Sequence, residues 1–302
     1  MKILFASTSE EPEVWLPLLG QALPRDEITV LPAKDVDVAL VATPAAGTFQ
    51  KIGRPKLVQS LWMGVEKLLA DPSLPRGVPL ARLVDPGMVA AMSESVMAHV
   101  LDWHRHLYAY RRRQQARRWE RIGQRMASDR TVGLLGLGEL GTDAARKLLA
   151  LGFEVAGWSR RPKQIPGVRS FTDLDRMLPL TDALVCLLPL TAETAGVLNA
   201  HAFEGMRKGG CVINLARGAH LVVPDLLRAL DSGRLAHAYL DVFEPEPLPA
   251  ADPLWQHPGI SITPHIAALT EPRTALPGIV ENIERVRRGE VPQNLVDLEA
   301  GY

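Results

Sequence analysis

Between Thr131 and Arg161 the chain reads TVGLLGLGELGTDAARKLLALGFEVAGWSRR, and no other stretch limits the possible folds as much. An apolar run leads into Gly136-x-Gly138-x-x-Gly141, a helical stretch follows, and a second apolar run comes at the spacing of a parallel neighbour. The glycine pattern alone is weak because glycine is common. Set between a strand and a helix, it predicts a dinucleotide-binding βαβ unit. Gly136 permits the tight turn, Gly138 lets the backbone approach a pyrophosphate, and Gly141 lets the helix pack closely on the strand. The pyrophosphate then rests on the free N–H groups of the first helical turn, Glu139 and Leu140 included, at the positive end of the helix dipole.

The end of the second strand bears on which nucleotide is held. NAD binders usually place Asp or Glu there, to hold the ribose 2′-hydroxyl. This chain has Trp158-Ser159-Arg160-Arg161 instead. A hydroxyl and two guanidinium groups suit a 2′-phosphate, so NADPH is the expected cofactor, with NAD possible.

The same alternation extends along the chain. Apolar runs at 2–7, 27–32, 36–42, 55–61 and 79–84 read as strands with helices at 11–23 and 64–70 among them. A second series begins at Thr131 and continues through FEVAGWS, ALVCLLP, CVINLA, HAYLDV and SITPH. This pattern predicts an α/β protein of two doubly wound parallel-sheet domains, Rossmann-like and flavodoxin-like. The length of 302 residues allows two domains, each with its own core. Between the two series, 92–125 reads as one long helix without an internal proline, apolar at its start and strongly basic at its end, and the domain boundary falls within it. A last amphipathic helix is expected at about 274–288.

Composition removes several classes. Lys+Arg and Asp+Glu number 34 each, so no overall field draws the protein to nucleic acid or anionic lipid. Nine basic residues lie between 105 and 130, but aromatic interleaving is limited to Tyr108, Tyr110 and Trp119. That segment reads as a solvated face or an arm packing on another subunit. No apolar run reaches the ~18 residues of a membrane span, and the N-terminal MKILFASTSEEPEVW turns acidic without a signal-peptide core. Cys186 and Cys211 sit inside apolar strand-like runs, as two buried thiols of a cytoplasmic protein. The histidines show no metal-ligand spacing with Cys or Asp, and no metal is implied.

Three later segments end strands, where parallel sheets place ligand groups. They are CVINLARG (211–218), AYLDVFEPEPLP (238–249) and SITPHIAALT (261–270), and they offer Arg217, Glu246 and His265. This trio suits reduction of a 2-keto acid. Arginine grips the α-carboxylate and polarises the ketone as negative charge develops. Histidine delivers a proton to that oxygen while hydride arrives from a nicotinamide. A glutamate bonded to the imidazole fixes its orientation and favours its charged form. Glu244 competes with Glu246 for this place, and His220 is the alternative proton donor.

The ordered segments GLGELG, LLPLTAET, NLARG, DVFEPEPLP and TPHIAALT, with the LWMGVE loop at 61–66, resemble the D-isomer-specific 2-hydroxyacid dehydrogenase family over essentially the whole chain. The SRR triplet, PLWQHPGISITPH and the C-terminal VDLEAGY are most similar to its bacterial glyoxylate/hydroxypyruvate reductase branch. The resemblance implies an NADPH-preferring reductase of small 2-keto acids with Arg217 as substrate-binding arginine, Glu246 as the partner of His265, and His265 as acid/base. It implies that Asp241 meets the nicotinamide carboxamide, and that the N–H groups of Met63 and Gly64 hold the substrate carboxylate. It further implies a substrate domain of 1–98 plus 270–302, a cofactor domain of 99–269, an active site in the cleft between them, and a homodimer using the long helix as an arm. The chain departs from the family in its loop, where Trp62-Met63 replace the usual small residues before Gly64. Two alternatives stay open: an NAD-dependent dehydrogenase of phosphoglycerate or lactate type, and a non-catalytic nucleotide-sensing regulator.

Overall fold

The computed structural model describes residues 1–298, so the last four residues of the VDLEAGY tail lie outside the described ones. The chain divides into two compact units, one comprising Met1–Met88 and the chain from Leu269 on, the other Val89–Ala268.

The first unit holds a parallel five-stranded sheet. Its strands are β1 (Lys2–Ser7), β2 (Glu27–Thr29), β3 (Val38–Ala42), β4 (Leu57–Ser60) and β5 (Leu80–Ala81), in the order β2-β1-β3-β4-β5. This is the flavodoxin-like winding. β3 and β4 are buried at every position, because a parallel sheet covered on both faces selects continuous apolar runs. The expected strands at 27–32 and 79–84 are real but shorter, since their ends leave the ladder.

The second unit holds a seven-stranded parallel sheet. Its strands are β6 (Thr131–Leu135), β7 (Glu154–Trp158), β8 (Val168–Phe171), β9 (Ala183–Cys186), β10 (Gly210–Asn214), β11 (Leu235–Leu240) and β12 (Ile260–Ile262). The order β12-β11-β10-β9-β6-β7-β8 is a doubly wound Rossmann arrangement, and its winding reverses between β6 and β9. Apolar clusters cover both faces, one built around Trp103, Leu134 and Phe153, the other around Leu184, Phe203 and Leu240. β8 carries no strong sequence signal, being a short, half-exposed edge strand interrupted by Arg169. Cys186 and Cys211 are buried free thiols.

The single helix expected over 92–125 is not formed. The helix starts earlier, at Pro86, runs to His104, and a second one spans Leu107–Gln115. His106 between them adopts φ 58°, a left-handed conformation that no α-helix continues through. Asp102 anchors the junction, accepting from Tyr239 Oη at 2.5 Å and from both terminal nitrogens of Arg111 at 2.6 and 2.8 Å. The second helix ends at a left-handed Arg117, with Arg118 N–H returning to the Arg113 carbonyl at 2.9 Å. Past that point the basic segment holds no further α-helix, only a 3₁₀ turn at Ala127–Asp129. No helix among the described residues is long and apolar enough to cross a membrane.

Candidate active site

The glycine turn follows β6 at the point where the winding reverses. Gly136 has φ +103°, and a β-carbon there would lie 2.9 Å from the Leu187 carbonyl after β9. A β-carbon on Gly141 would come within 1.9 Å of the Gly136 carbonyl, so only glycine lets the helix Glu139–Ala150 start here. Gly138 differs: nothing lies within 4 Å of where its β-carbon would stand. The turn is thus tight on the protein side and open on the other, and the N–H groups of Glu139, Leu140 and Gly141 head a twelve-residue helix. This is the form that a dinucleotide pyrophosphate requires.

After β7, Ser159 is nearly buried. Its N–H donates to Phe171 O at 3.0 Å and its hydroxyl to the Arg161 carbonyl at 2.7 Å. That hydroxyl orders the turn which presents the exposed side chains of Arg160 and Arg161. Glu193, after β9, has its pKa lowered by a hydrogen bond from Thr191, with the charge of Arg160 adding to the effect.

The acid–base groups stand beyond the carboxyl ends of β10, β11 and β12. His265 Nδ1 and Glu246 Oε2 are 2.8 Å apart. Glu246 Oε1 accepts from the Phe243 N–H at 2.9 Å, which fixes the carboxylate in its loop. Burial opposes ionisation of Glu246, but the bonds from His265 and Phe243, with the charges of His265 and Arg217, outweigh it and lower its pKa. The His265 side chain is half exposed. His265 itself has φ 56°, off the preferred backbone regions for a non-glycine residue. Strain of this kind persists only where surroundings over-determine it.

Asp241 is what over-determines it. Buried to 1% exposure, its carboxylate accepts from Thr263 Oγ1 at 2.6 Å, Ile266 N–H at 2.9 Å and Ala267 N–H at 2.9 Å, while its carbonyl takes the His265 N–H at 2.8 Å. The structure therefore places Asp241 as the anchor of the histidine turn. Asn214 does the same for arginine: its amide donates to the Arg217 carbonyl at 2.9 Å, and its oxygen accepts the Ala216 N–H at 3.2 Å. A β-carbon on Gly218 would meet the Phe243 carbonyl carbon at 2.1 Å, so the Arg-Gly pair sits directly on the loop bearing Glu246. Sequence reasoning passes over Asn214 and Thr263. Their signal is a polar residue closing an otherwise apolar strand.

His220 is not placed to donate a proton to a substrate. It is wholly buried, its Nδ1 accepts the Arg217 N–H at 3.2 Å, and its Nε2 faces the Pro189 carbonyl at 3.3 Å. Both ring nitrogens thus serve backbone groups. Glu244 makes no bond to His265; the ring is taken by Glu246.

Met63 and Gly64 lie in the other unit, in the loop after β4. Among the described residues no group accepts from their backbone N–H groups. The residues before them are held: Leu61 N–H donates to Val41 O at 2.9 Å, and Thr270 Oγ1 to Leu61 O at 3.1 Å.

Residues 97–267 match the family model described as D-isomer specific 2-hydroxyacid dehydrogenase, NAD binding domain. The chain is 43% identical over 313 aligned positions, covering all of both proteins, to a glyoxylate/hydroxypyruvate reductase A of Serratia proteamaculans. A D-isomer specific 2-hydroxyacid dehydrogenase of Xanthobacter autotrophicus, solved with NADPH and MES, superposes with TM-score 0.95 at 39% identity over 100% of this chain and 99% of that one. An NADPH-dependent glyoxylate/hydroxypyruvate reductase of Sinorhizobium meliloti, solved with NADP and sulfate, gives 0.94 at 37% identity over the same shares.

Proposed function

The chain belongs to the D-isomer-specific 2-hydroxyacid dehydrogenase family, and from that premise we propose that it reduces small 2-keto acids, glyoxylate and hydroxypyruvate, to glycolate and D-glycerate with NADPH. The observation that carries this reading is the 2.8 Å bond between His265 Nδ1 and Glu246 Oε2, made by a histidine whose ring is half exposed. NADPH, when bound, supplies the hydride. Gly136, Gly138, Glu139, Leu140 and Gly141 would hold its pyrophosphate, Arg160 and Arg161 its 2′-phosphate, and Asp241 would accept from the nicotinamide amide with the capacity left over from the histidine turn.

Arg217 binds the substrate's carboxylate, and the N–H groups of Met63 and Gly64 are the substrate donors assigned to the five-stranded unit. Arg217 also polarises the ketone. As hydride reaches the carbonyl carbon, His265 passes its proton from Nε2 to the carbonyl oxygen, which completes the alcohol. Glu246 stays ionised and balances the imidazolium before the transfer. The named relatives and their NADPH and NADP complexes support both substrate class and cofactor.

The protein acts as a cytoplasmic homodimer in this reading. Its two free buried thiols support the compartment. The exposed apolar side chains of Leu107, Trp119 and Met126 support a partner surface along the basic segment. The test is a panel of glyoxylate, hydroxypyruvate, pyruvate and phosphohydroxypyruvate against NADPH and NADH, followed at 340 nm. The expected result is turnover of the first two with NADPH. Turnover mainly of pyruvate or phosphohydroxypyruvate with NADH favours the lactate or phosphoglycerate type. Binding of NADPH without turnover of any keto acid favours a regulator.

A further inference from the structure

The loop carrying Met63 and Gly64 contains a contact that the chemistry above does not use. The indole N–H of Trp62 donates to Glu10 Oε1 at 2.8 Å, and that of the buried Trp15 donates to Glu10 Oε2 at 3.0 Å. Glu10 is itself fixed, its N–H donating to Ser7 Oγ at 2.6 Å. The backbone of Trp62 is equally constrained. Ser60 Oγ accepts its N–H at 3.0 Å and donates to its carbonyl at 2.8 Å, and the same carbonyl takes the Leu83 N–H at 3.0 Å. Since β3 lies between β1 and β4 in the sheet, the bond from Trp62 to Glu10 ties the loop after β4 to the loop after β1 across the carboxyl end of β3. A large ring system held at both its backbone and its indole nitrogen cannot turn aside to admit a larger ligand.

We propose that Trp62, pinned by Glu10, is the specificity-determining residue of this loop and restricts the substrate to 2-keto acids whose side chain is a hydrogen atom or one small group. The inference rests on the proposed function, because it takes Met63 and Gly64 as the donors to the substrate carboxylate. The N–H of Met63 belongs to the peptide group that it shares with Trp62. A carboxylate bound there lies about one residue's span, ~3.8 Å, from Trp62, which makes the indole the wall that we assign to the substrate's side chain. Rejection is steric, and each extra methylene against a rigid wall changes kcat/KM by roughly 10–200-fold.

The experiment measures kcat/KM with NADPH for glyoxylate and phenylpyruvate in the wild type and in Trp62→Gly, Trp62→Phe and Glu10→Ala. The wild type is expected to prefer glyoxylate strongly. Trp62→Gly should raise the phenylpyruvate-to-glyoxylate ratio by at least ~10-fold, mainly through a lower KM for phenylpyruvate. Glu10→Ala, which frees the indole without removing it, should raise the ratio by a smaller factor, and Trp62→Phe, which loses the bond to Glu10 and leaves a smaller ring, should fall between the two. Should Trp62→Gly fail to fold by circular dichroism, Glu10→Ala decides alone. An unchanged ratio in the decisive variant overturns the inference, as does a wild type that turns over both keto acids equally well. A wild type that turns over neither overturns the proposed function itself, and this inference with it.

Discussion

The two units use the carboxyl ends of their parallel strands in different ways. The seven-stranded unit presents charged side chains, Arg217, Glu246 and His265, on turns held by the buried polar groups Asn214 and Asp241. The five-stranded unit carries Met63 and Gly64, whose backbone N–H groups are the proposed donors, on a loop held by Ser60 and by the Trp62–Glu10 bond. All eight histidines fall in the seven-stranded unit. In the proposed reading one unit moves charge and the other holds it still, and substitutions should divide along the same line.

The largest effect is expected where a side chain is itself the reactant. His265→Ala should lower kcat for glyoxylate reduction by roughly 10²–10⁴-fold, the usual contribution of a positioned general acid, and leave the Kd for NADPH nearly unchanged by fluorescence titration. A small loss in kcat would remove His265 from the reactive group and erase the contrast.

The next test concerns stability. His237 is buried between Tyr108 and Tyr239, with ring centroids 4.4 and 4.7 Å away, and its Nδ1 has no hydrogen-bond partner. Burial lowers its pKa to about 3, with Arg112 and Arg111 adding to the shift and Asp102 opposing it. The unfolded chain takes up a proton on this residue below pH ~6.5, whereas the folded chain does so only near its own lower value. Stability is therefore present above ~6.5 and declines as pH falls from there toward 3. This residue alone should contribute a loss of about 2 kcal/mol between pH 7 and pH 5, measured by urea unfolding. Burial also lowers the pKa values of His99, His104 and His106, which adds to the slope. The pH-sensitive transition should belong to the seven-stranded unit, and His237→Phe should flatten it. An equal slope in that variant would refute the assignment.

Cofactor choice gives a comparable energy spread over two residues. Arg160→Ala with Arg161→Ala should weaken NADPH binding by roughly 1.5–3 kcal/mol for each charged hydrogen bond lost and leave NADH binding almost unaffected. Equal losses for both cofactors would show that these guanidinium groups do not read a 2′-phosphate. The smallest effect is expected at Met63→Ala. A backbone donor survives removal of its side chain, so the KM for glyoxylate should change by less than about threefold. A large rise in KM would show that the side chain, rather than the peptide N–H, holds the substrate.

The same division explains what was legible in the sequence. The glycine turn could be read because steric demands at Gly136 and Gly141 admit one residue type, and its neighbours supply strand and helix periodicity. Arg217, Glu246 and His265 could be read because ionisable residues closing apolar strands stand out from their surroundings. Three short edge strands escaped or shrank, β8, β2 and β5, where the paired run is brief. The long helix was misjudged because nothing in its composition marks His106 as a break. The break depends on Asp102 meeting Tyr239, 137 positions later. The bond between Trp62 and Glu10 was invisible for the same reason, joining residues 52 positions apart. The residues alone left Glu246 and Glu244 as rivals in one loop, the family resemblance picked Glu246, and the structure joins that residue to the imidazole.

The most direct test of the central claim is the pH profile of NADPH oxidation on glyoxylate, recorded for the wild type and for Glu246→Gln. Reduction consumes the proton of His265, so the rate should fall as pH rises. Glu246 orients the imidazole through the 2.8 Å bond to Nδ1, so Glu246→Gln, which keeps the shape and removes the charge, should change the profile as well as lower the rate. A profile that Glu246→Gln leaves unmoved, or a wild type that oxidises no NADPH with glyoxylate at any pH, would contradict the account.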